Sequence, residues 1–353
     1  MRRTLTIVLM VTGLLAGATI FLSRPAGADL SAVPPTPIAG TSTNLVRLAV
    51  DPAQNYIDIV VGPVALAAGQ SGTRAPIQLV TIPANGWIRG FSWFMHDAAG
   101  KRLPDDLLHH VNLIDPDRSE LFSSVARRVI AAGRETRAVE FPSIIGYPIS
   151  SGTRLLVVTM LSNPDPQPYQ AFMTVRLNYV PARKWLRPLA VFPFSLDVMG
   201  AVGEKEFVVP HGRTVRSWVA SPHVDARILA LGGHGHDYTR RIALTDEATG
   251  DTLWAVAPKT DQGRLLEIPR STVARRGGIR LKRNHRYRVT IEYFNPGLSA
   301  SPHGGMGVVA GIVSSRAPWP RLDPTNADYR ADMVNIITMP QRVAQSGHGL
   351  HVH

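Results

Sequence analysis

The sequence predicts an all-β protein built from two antiparallel, jelly-roll-like β-sandwich domains, and three observations predict it. Short apolar runs recur from about residue 45 to residue 313, each broken by Gly, Pro, Asn or Asp, as in strand-and-turn proteins. Only one stretch of that body, Leu121 to Gly133, reads as helical. The chain has 353 residues, which leaves room for two such domains once a leader is removed.

The elements follow in order. Arg2 and Arg3 precede an apolar run from Leu5 to Leu22, and Ala26-Gly27-Ala28 is a small-residue cleavage site. Residues 1–28 therefore read as a signal peptide. The run is long for a leader, so an uncleaved anchor that keeps the protein near a membrane is the alternative. Export to the periplasm or the medium follows either way. Residues 29–44, with Pro34, Pro35, Pro37 and Gly40, read as a linker. Strand candidates in the first domain, 45–180, include Ile57-Asp58-Ile59-Val60-Val61, Trp87 to Phe91, Leu155 to Val158 and Phe172 to Leu177. Pro181, Pro188 and Pro193 mark a passage into the second domain, 181–318, and a tail covers 319–353 with a short helix over Asp328 to Met339. The two halves share a weak pattern. Asn163-Pro164 leads to Met173, and Asn295-Pro296 leads to Met306.

Composition narrows the chemistry. The chain has no cysteine, which excludes disulfides, thiolate zinc sites, blue copper and iron–sulfur clusters. Taking Arg2, Arg3 and Arg24 from the 38 Lys and Arg leaves 35 against 26 Asp and Glu, a balance of about +9. Much of the excess lies between Arg275 and Arg288. That stretch reads as the solvated edge of a hairpin, because residues 279–293 alternate like strands. An exported chain is not expected to meet nucleic acid.

Histidine carries the strongest chemical signal. His109-His110 stands at the start of an apolar run, and Gly233-His234-Gly235-His236-Asp237 follows in the second half. Residues two apart on a strand share a face, so His234 and His236 offer two imidazoles to one ion. Met306, in Gly304-Gly305-Met306-Gly307, is a thioether candidate beside them. Adjacent strand residues face opposite ways, so His109 and His110 converge only at a bulge or a strand end. Their third donor is open between Met160 and Met173. Imidazole with thioether and no thiolate suits a metal cycling between Cu(II) and Cu(I). The ordinary alternative is polar strand histidines and core methionines. The His-rich end His348 to His353 reads as a frayed terminus.

The order His109-His110, His234-Gly235-His236, Met306 resembles the copper type II, ascorbate-dependent monooxygenases, the family of peptidylglycine α-hydroxylating monooxygenase and dopamine β-monooxygenase. The resemblance covers roughly residues 75–313. It implies two copper ions, one on His109, His110 and a third donor, the other on His234, His236 and Met306. The family's third histidine of the first domain falls at Met160. The resemblance also implies O2-dependent C–H hydroxylation of a small-molecule or peptide substrate, with a reductant such as ascorbate. Departures accompany it: Met160 replaces a histidine, and the residues that bind a peptide carboxylate are not found, so no catalytic residue is assigned. Two rivals stand beside it: a non-catalytic copper-binding or copper-handling protein on the same scaffold, and a metal-free β-sandwich binding module.

Overall fold

A computed structural model describes residues 45–345 except 71, 135, 137, 183–186, 302 and 303, and describes no side chains from 339 onward. The leader, the 29–44 linker and the His-rich end lie outside the described residues. In chain order the first half forms β1 (Val46–Asp51), β2 (Tyr56–Leu66), β3 (Thr73–Arg74), β4 (Gln78–Thr81), β5 (Gly86–His96), β6 (Leu108–Ser119), β7 (Ala126–Gly133), β8 (Val139–Glu140), β9 (Ile145–Ile149), β10 (Arg154–Leu161), β11 (Tyr169–Pro181) and β12 (Leu189–Ala190). The second half forms β13 (Phe192–Asp197), β14 (Gly212–Ala220), β15 (Ala226–Gly235), β16 (Thr239–Asp246), β17 (Thr252–Val256), β18 (Lys259–Asp261), β19 (Arg264–Glu267), β20 (Ser271–Thr272), β21 (Ile279–Leu281), β22 (Tyr287–Asn295) and β23 (Gly307–Ser314), followed by the helix α1 (Ala327–Gln345).

These strands make two sandwiches. In the first, a sheet ordered β1-β2-β11-β5-β9-β12, with β8 added on β5, faces a sheet ordered β3-β10-β6-β7, with β4 also on β10. In the second, β13-β23-β15-β20, with β21 on β15, faces β14-β22-β16-β17. Apart from the parallel pair of β12 with β9, the ladders are antiparallel. The pattern that the sequence advertises is visible in β22, where Tyr287, Val289, Ile291 and Tyr293 are wholly buried and the residues between them are not inward. Such alternation places one face of a strand on the core.

Each sandwich has its own apolar core, one around Ile57, Met95, Leu113 and Val175, the other around Phe194, Ile228, Ile242 and Tyr293. Met173 is wholly buried in the first core, on the sheet that faces the one containing β6. The two Asn-Pro turns are equivalent in detail. The buried Asn163 amide donates to the carbonyls of Ala67 and Gln167, and its oxygen accepts the Asp165 N–H. Asn295 donates to the carbonyls of Val209 and Ser299 and accepts the Gly297 N–H.

Two expectations are corrected. Leu121 to Gly133 is not a helix: residues 126–133 are strand β7, paired with β6 from Ser119↔Ala126 to His110↔Gly133. Ladder bonds along β6 and burial on both faces outweigh a helical spacing of apolar residues. Ahead of it, Leu121 and Phe122 plug into the second core, where Phe122 packs edge-on against Tyr287. The basic stretch is not a hairpin, because β21 pairs with β15 and β22 lies between β14 and β16 in the other sheet. Its solvated, edge character holds, since β21 is paired on one side and Arg275, Arg276, Arg280, Lys282 and Arg283 are exposed. The tail helix packs Tyr329, Met333 and Ile336 against Ile114, Ala126 and Val158 of the first sandwich. No helix among the described residues is long and apolar enough to cross a membrane.

Candidate metal centre

The first histidine pair sits where β6 begins. The ladder between β10 and β6 pairs Met160 with His110 and then Leu161 with Leu108, so His109 is the extra residue of a bulge. A bulge removes the strict alternation of faces. The His109 and His110 rings accordingly lie side by side, centroids 4.0 Å apart. Met160, directly opposite His110, shares its face of the sheet.

The second pair sits where β15 ends. His234 pairs with Val308 and Gly235 with Gly307. Close approach explains the surrounding glycines. A Cβ on Gly233 would meet the Val308 carbonyl at 2.8 Å, one on Gly235 would meet Thr239 Oγ1 at 2.8 Å, and one on Gly307 would meet Ile291 Cγ2 at 2.6 Å. The wholly buried Tyr293 then fixes the backbone at the site. Its hydroxyl accepts the N–H of His236 at 3.0 Å and the N–H of Met306 at 3.1 Å, and donates to the Met306 carbonyl. Thr239 Oγ1 donates to the His236 carbonyl at 2.6 Å. Neither Tyr293 nor Thr239 is a donor type that motif spacing selects, and only a three-dimensional contact reveals them.

The two pairs meet at the seam between the sandwiches. His110 lies 5.2 Å from His234 and 6.3 Å from His236, centroid to centroid; His234 and His236 are 5.3 Å apart, and His109 is 6.4 Å from His236. One ring nitrogen from each of His110, His234 and His236 lies within 4.8 Å of the others, near enough for all three to reach one ion. The Nε2 atoms of all three are buried, and that of His110 has no hydrogen-bond partner among the described residues. An orphaned buried nitrogen is costly unless something binds it. Burial, followed by the charges of His109, His234, His236 and Arg134, pushes the His110 imidazole well below its ordinary pKa. It is therefore neutral at neutral pH, the state that ligates metals.

Charged residues of both domains ring the cluster. Arg134, just after β7, reaches Asp237 beyond β15 at 3.7 Å and Asp106 ahead of β6 at 4.0 Å. Arg264 of β19 reaches the same Asp106 at 3.5 Å. On the other side, burial raises the Asp197 carboxyl, while Lys205 and His234 are among the neighbours that pull it back.

The structure thus brings His109, His110, His234 and His236 into one cluster, where the sequence suggested two separate copper sites. Met160 and Met306 flank it through strand register and backbone hydrogen bonding.

No family model matches the chain, and no curated protein matches it. Among solved structures, the glycosylasparaginase PNGase F from Flavobacterium meningosepticum is similar with a TM-score of 0.38 and 10% identity over 75% of this chain and 98% of that one. A second structure, a peptide-N(4)-(N-acetyl-β-D-glucosaminyl) asparagine amidase, gives 0.37 and 10% over the same shares. PNGF-II gives 0.28 and 10%, over 81% of this chain and 64% of that one. At such scores the likeness carries no argument about chemistry. The resemblance to copper type II monooxygenases is corrected here. No family model matches the chain to support it, and the histidines converge in one cluster where the resemblance implies two separate copper sites. O2-dependent hydroxylation, the oxidoreductase class and the copper-handling rival are withdrawn with it.

Proposed function

We propose that the chain is an exported metalloprotein that holds a single first-row transition-metal ion at the seam of its two sandwiches. His110 from the first and His234 and His236 from the second are its ligands, with His109 beside them. The observation that carries this reading is the convergence of three imidazole nitrogens within 4.8 Å. Imidazole suits zinc, nickel and iron alike, so the donor set names the class of metal and not the element. Three protein ligands leave a coordination position open to an exogenous ligand, as in catalytic rather than closed structural sites. Bound there, the ion would supply Lewis acidity. The chain's own part is to hold neutral imidazoles, to fix their backbone through Tyr293, and to place the site where both domains close over it.

The register of Met160 opposite His110 supports it as an additional soft donor, and Met306 stands in a similar place beside His236. The test is metal analysis of the purified mature chain after reconstitution with zinc or cobalt(II) and removal of excess. One ion per chain is expected, with loss of that ion in His110→Ala, His234→Ala and His236→Ala. A chain that retains no ion under these conditions overturns the proposal and leaves the metal-free binding module standing.

A further inference from the structure

The rim of the centre contains an arrangement that the metal ligands do not require. Two guanidinium groups, Arg134 from the first sandwich and Arg264 from the second, approach one and the same carboxylate oxygen, Asp106 Oδ1, at 4.0 and 3.5 Å. Both separations exceed the roughly 2.7–3.2 Å of an N–H···O hydrogen bond. The carboxylate therefore stands between the arginines without being gripped by either. All three side chains are reachable from solvent, with 41% of Arg134, 60% of Arg264 and 47% of Asp106 exposed. Arg134 also reaches Asp237, the residue after His236, at 3.7 Å, and it directly follows Gly133, which pairs with His110, so it stands beside the ligand cluster.

Charge balance says what this space is for. Three neutral imidazoles bring no negative charge to a divalent ion, and the carboxylates around them already stand against cations, Asp106 and Asp237 against Arg134 and Arg264, and Asp197 against Lys205. A partly buried divalent charge is costly until an anion accompanies it. Guanidinium groups match a carboxylate in shape as well as charge, since their planar fork presents parallel N–H donors. Arg134 and Arg264 already share one carboxylate oxygen, that of Asp106. We propose that the mouth of the centre is a carboxylate-binding subsite: Arg134 and Arg264 seize the carboxylate of a small organic acid, Asp106 swings aside, and the acid completes the coordination of the ion. This inference rests on the metal reading above and names the class of ligand for its open position.

The test uses the full mature chain loaded with cobalt(II), whose visible spectrum reports its coordination, titrated with acetate and separately with inorganic phosphate. Acetate is expected to change the cobalt spectrum saturably. Arg134→Gln and Arg264→Gln are each expected to weaken acetate by about tenfold, the scale of one charge-assisted contact, while cobalt stoichiometry stays at one. Asp106→Asn, which removes the resident competitor, is expected to tighten acetate. A cobalt-loaded protein whose spectrum ignores acetate overturns the subsite and spares the metal reading. So does an acetate midpoint unmoved in all three variants, or phosphate binding more tightly than acetate through the same arginines. A chain that takes up no cobalt removes both proposals, so the two failures are distinguishable.

Discussion

His110 at the start of β6 and His234 at the end of β15 meet edge to face, with ring centroids 5.2 Å apart and planes at 75°. The contact joins the two sandwiches through histidines that each of them supplies. Beside it stand the loose ion pairs of Arg134 and Arg264, and at the far end of β6 the seam is held by Leu121 and Phe122 in the second core and by Trp319 donating to the Ser119 carbonyl at 3.0 Å. An ion on His110, His234 and His236 would add a cross-link between domains whose remaining ionic contacts are solvent-accessible.

That cross-link sets the first expectation. Zinc at a hundredfold excess over its dissociation constant should stabilise the folded chain by about 2.7 kcal/mol, because it binds only the native state. Thermal unfolding with and without zinc measures this. His110→Ala should show no zinc-dependent rise, and an undiminished rise in that variant would rule out the shared site.

The metal-free protein should lose stability in mild acid. The sign follows from His110, whose folded-state pKa is depressed by burial and by neighbouring positive charge. Between that depressed value and the ordinary value of about 6.5, the unfolded chain binds a proton that the folded chain refuses. Stability is therefore complete above the ordinary value and falls as pH drops through this window. His96 and His223, also lowered by burial, act in the same direction. Urea unfolding in the presence of a chelator at pH 7.5 and pH 5 should show the loss. His110→Gln should flatten the dependence without abolishing it, and a variant slope equal to the parent's would show that His110 does not contribute.

Much of this was legible in the chain. Period-two alternation along Tyr287 to Tyr293 announced a half-buried strand, and the spacing of His234 and His236 announced a shared face, because both depend only on local backbone geometry. The bulge that His109-His110 needs was also foreseeable, since adjacent strand residues cannot otherwise converge. What the sequence did not reveal is relative placement. Nothing in the spacing of Leu121 and Phe122 says that they plug a second domain's core, and the strand β7 behind them owes its form to pairing with β6. The same gap misdirected the site. Two histidine motifs far apart in sequence read as two centres facing a shared interdomain cleft, and the apposition of the start of β6 with the end of β15 draws them into one cluster. Tyr293, Arg134 and Asp106 gain their meaning from that apposition as well.

Gly235 tests how closely the second pair depends on its strand. An added Cβ would stand 2.8 Å from Thr239 Oγ1 and 3.2 Å from Ile291 Cδ1, so the Thr239 bond to the His236 carbonyl must shift. Gly235→Ala should cost about 1–3 kcal/mol, as overpacking typically does, and should reduce metal uptake. Chemical denaturation and metal analysis of the same preparation check both. Unchanged uptake would mean that the imidazoles do not rely on this backbone.

Met160 invites a test of softness. It faces His110 across the ladder and is only partly buried. Met160→Leu keeps volume, so stability should change by less than about 1.5 kcal/mol. Affinity for silver(I), a soft ion, should drop well beyond any change for zinc, because thioether favours soft metals. Parallel losses for both ions, read by competition with a chromogenic chelator, would assign Met160 to packing alone.

The tail helix should be a separable, latched element. Asn326 caps its start, its side-chain oxygen accepting the N–H groups of Asp328 and Tyr329 at 2.9 and 3.2 Å. Its apolar residues Tyr329, Met333 and Ile336 lie on the first sandwich, while Val334 and Ile337 face away. The latch is Asp332, almost wholly buried, which accepts a hydrogen bond from Arg128 Nη1 at 2.9 Å and a second from Nη2. Arg128 is fixed in turn by the Ala126 carbonyl, and its backbone N–H donates to Glu120. Removing one partner of a buried ion pair strands the other, at a cost of about 3 kcal/mol. The other contacts of the described part of α1 with the first sandwich are those of Tyr329, Met333 and Ile336, so Asp332→Ala should release the helix before it unfolds the sandwiches. Hydrogen exchange should accelerate across 327–345 and leave β6 and β22 protected. Metal stoichiometry should be unchanged, since no described residue of α1 belongs to the histidine cluster. Asp328→Ala, at an exposed position in the first turn, is the control and should leave exchange unaltered. Equal acceleration in both variants, or acceleration spread evenly over the strands, would show that Asp332 is not the latch.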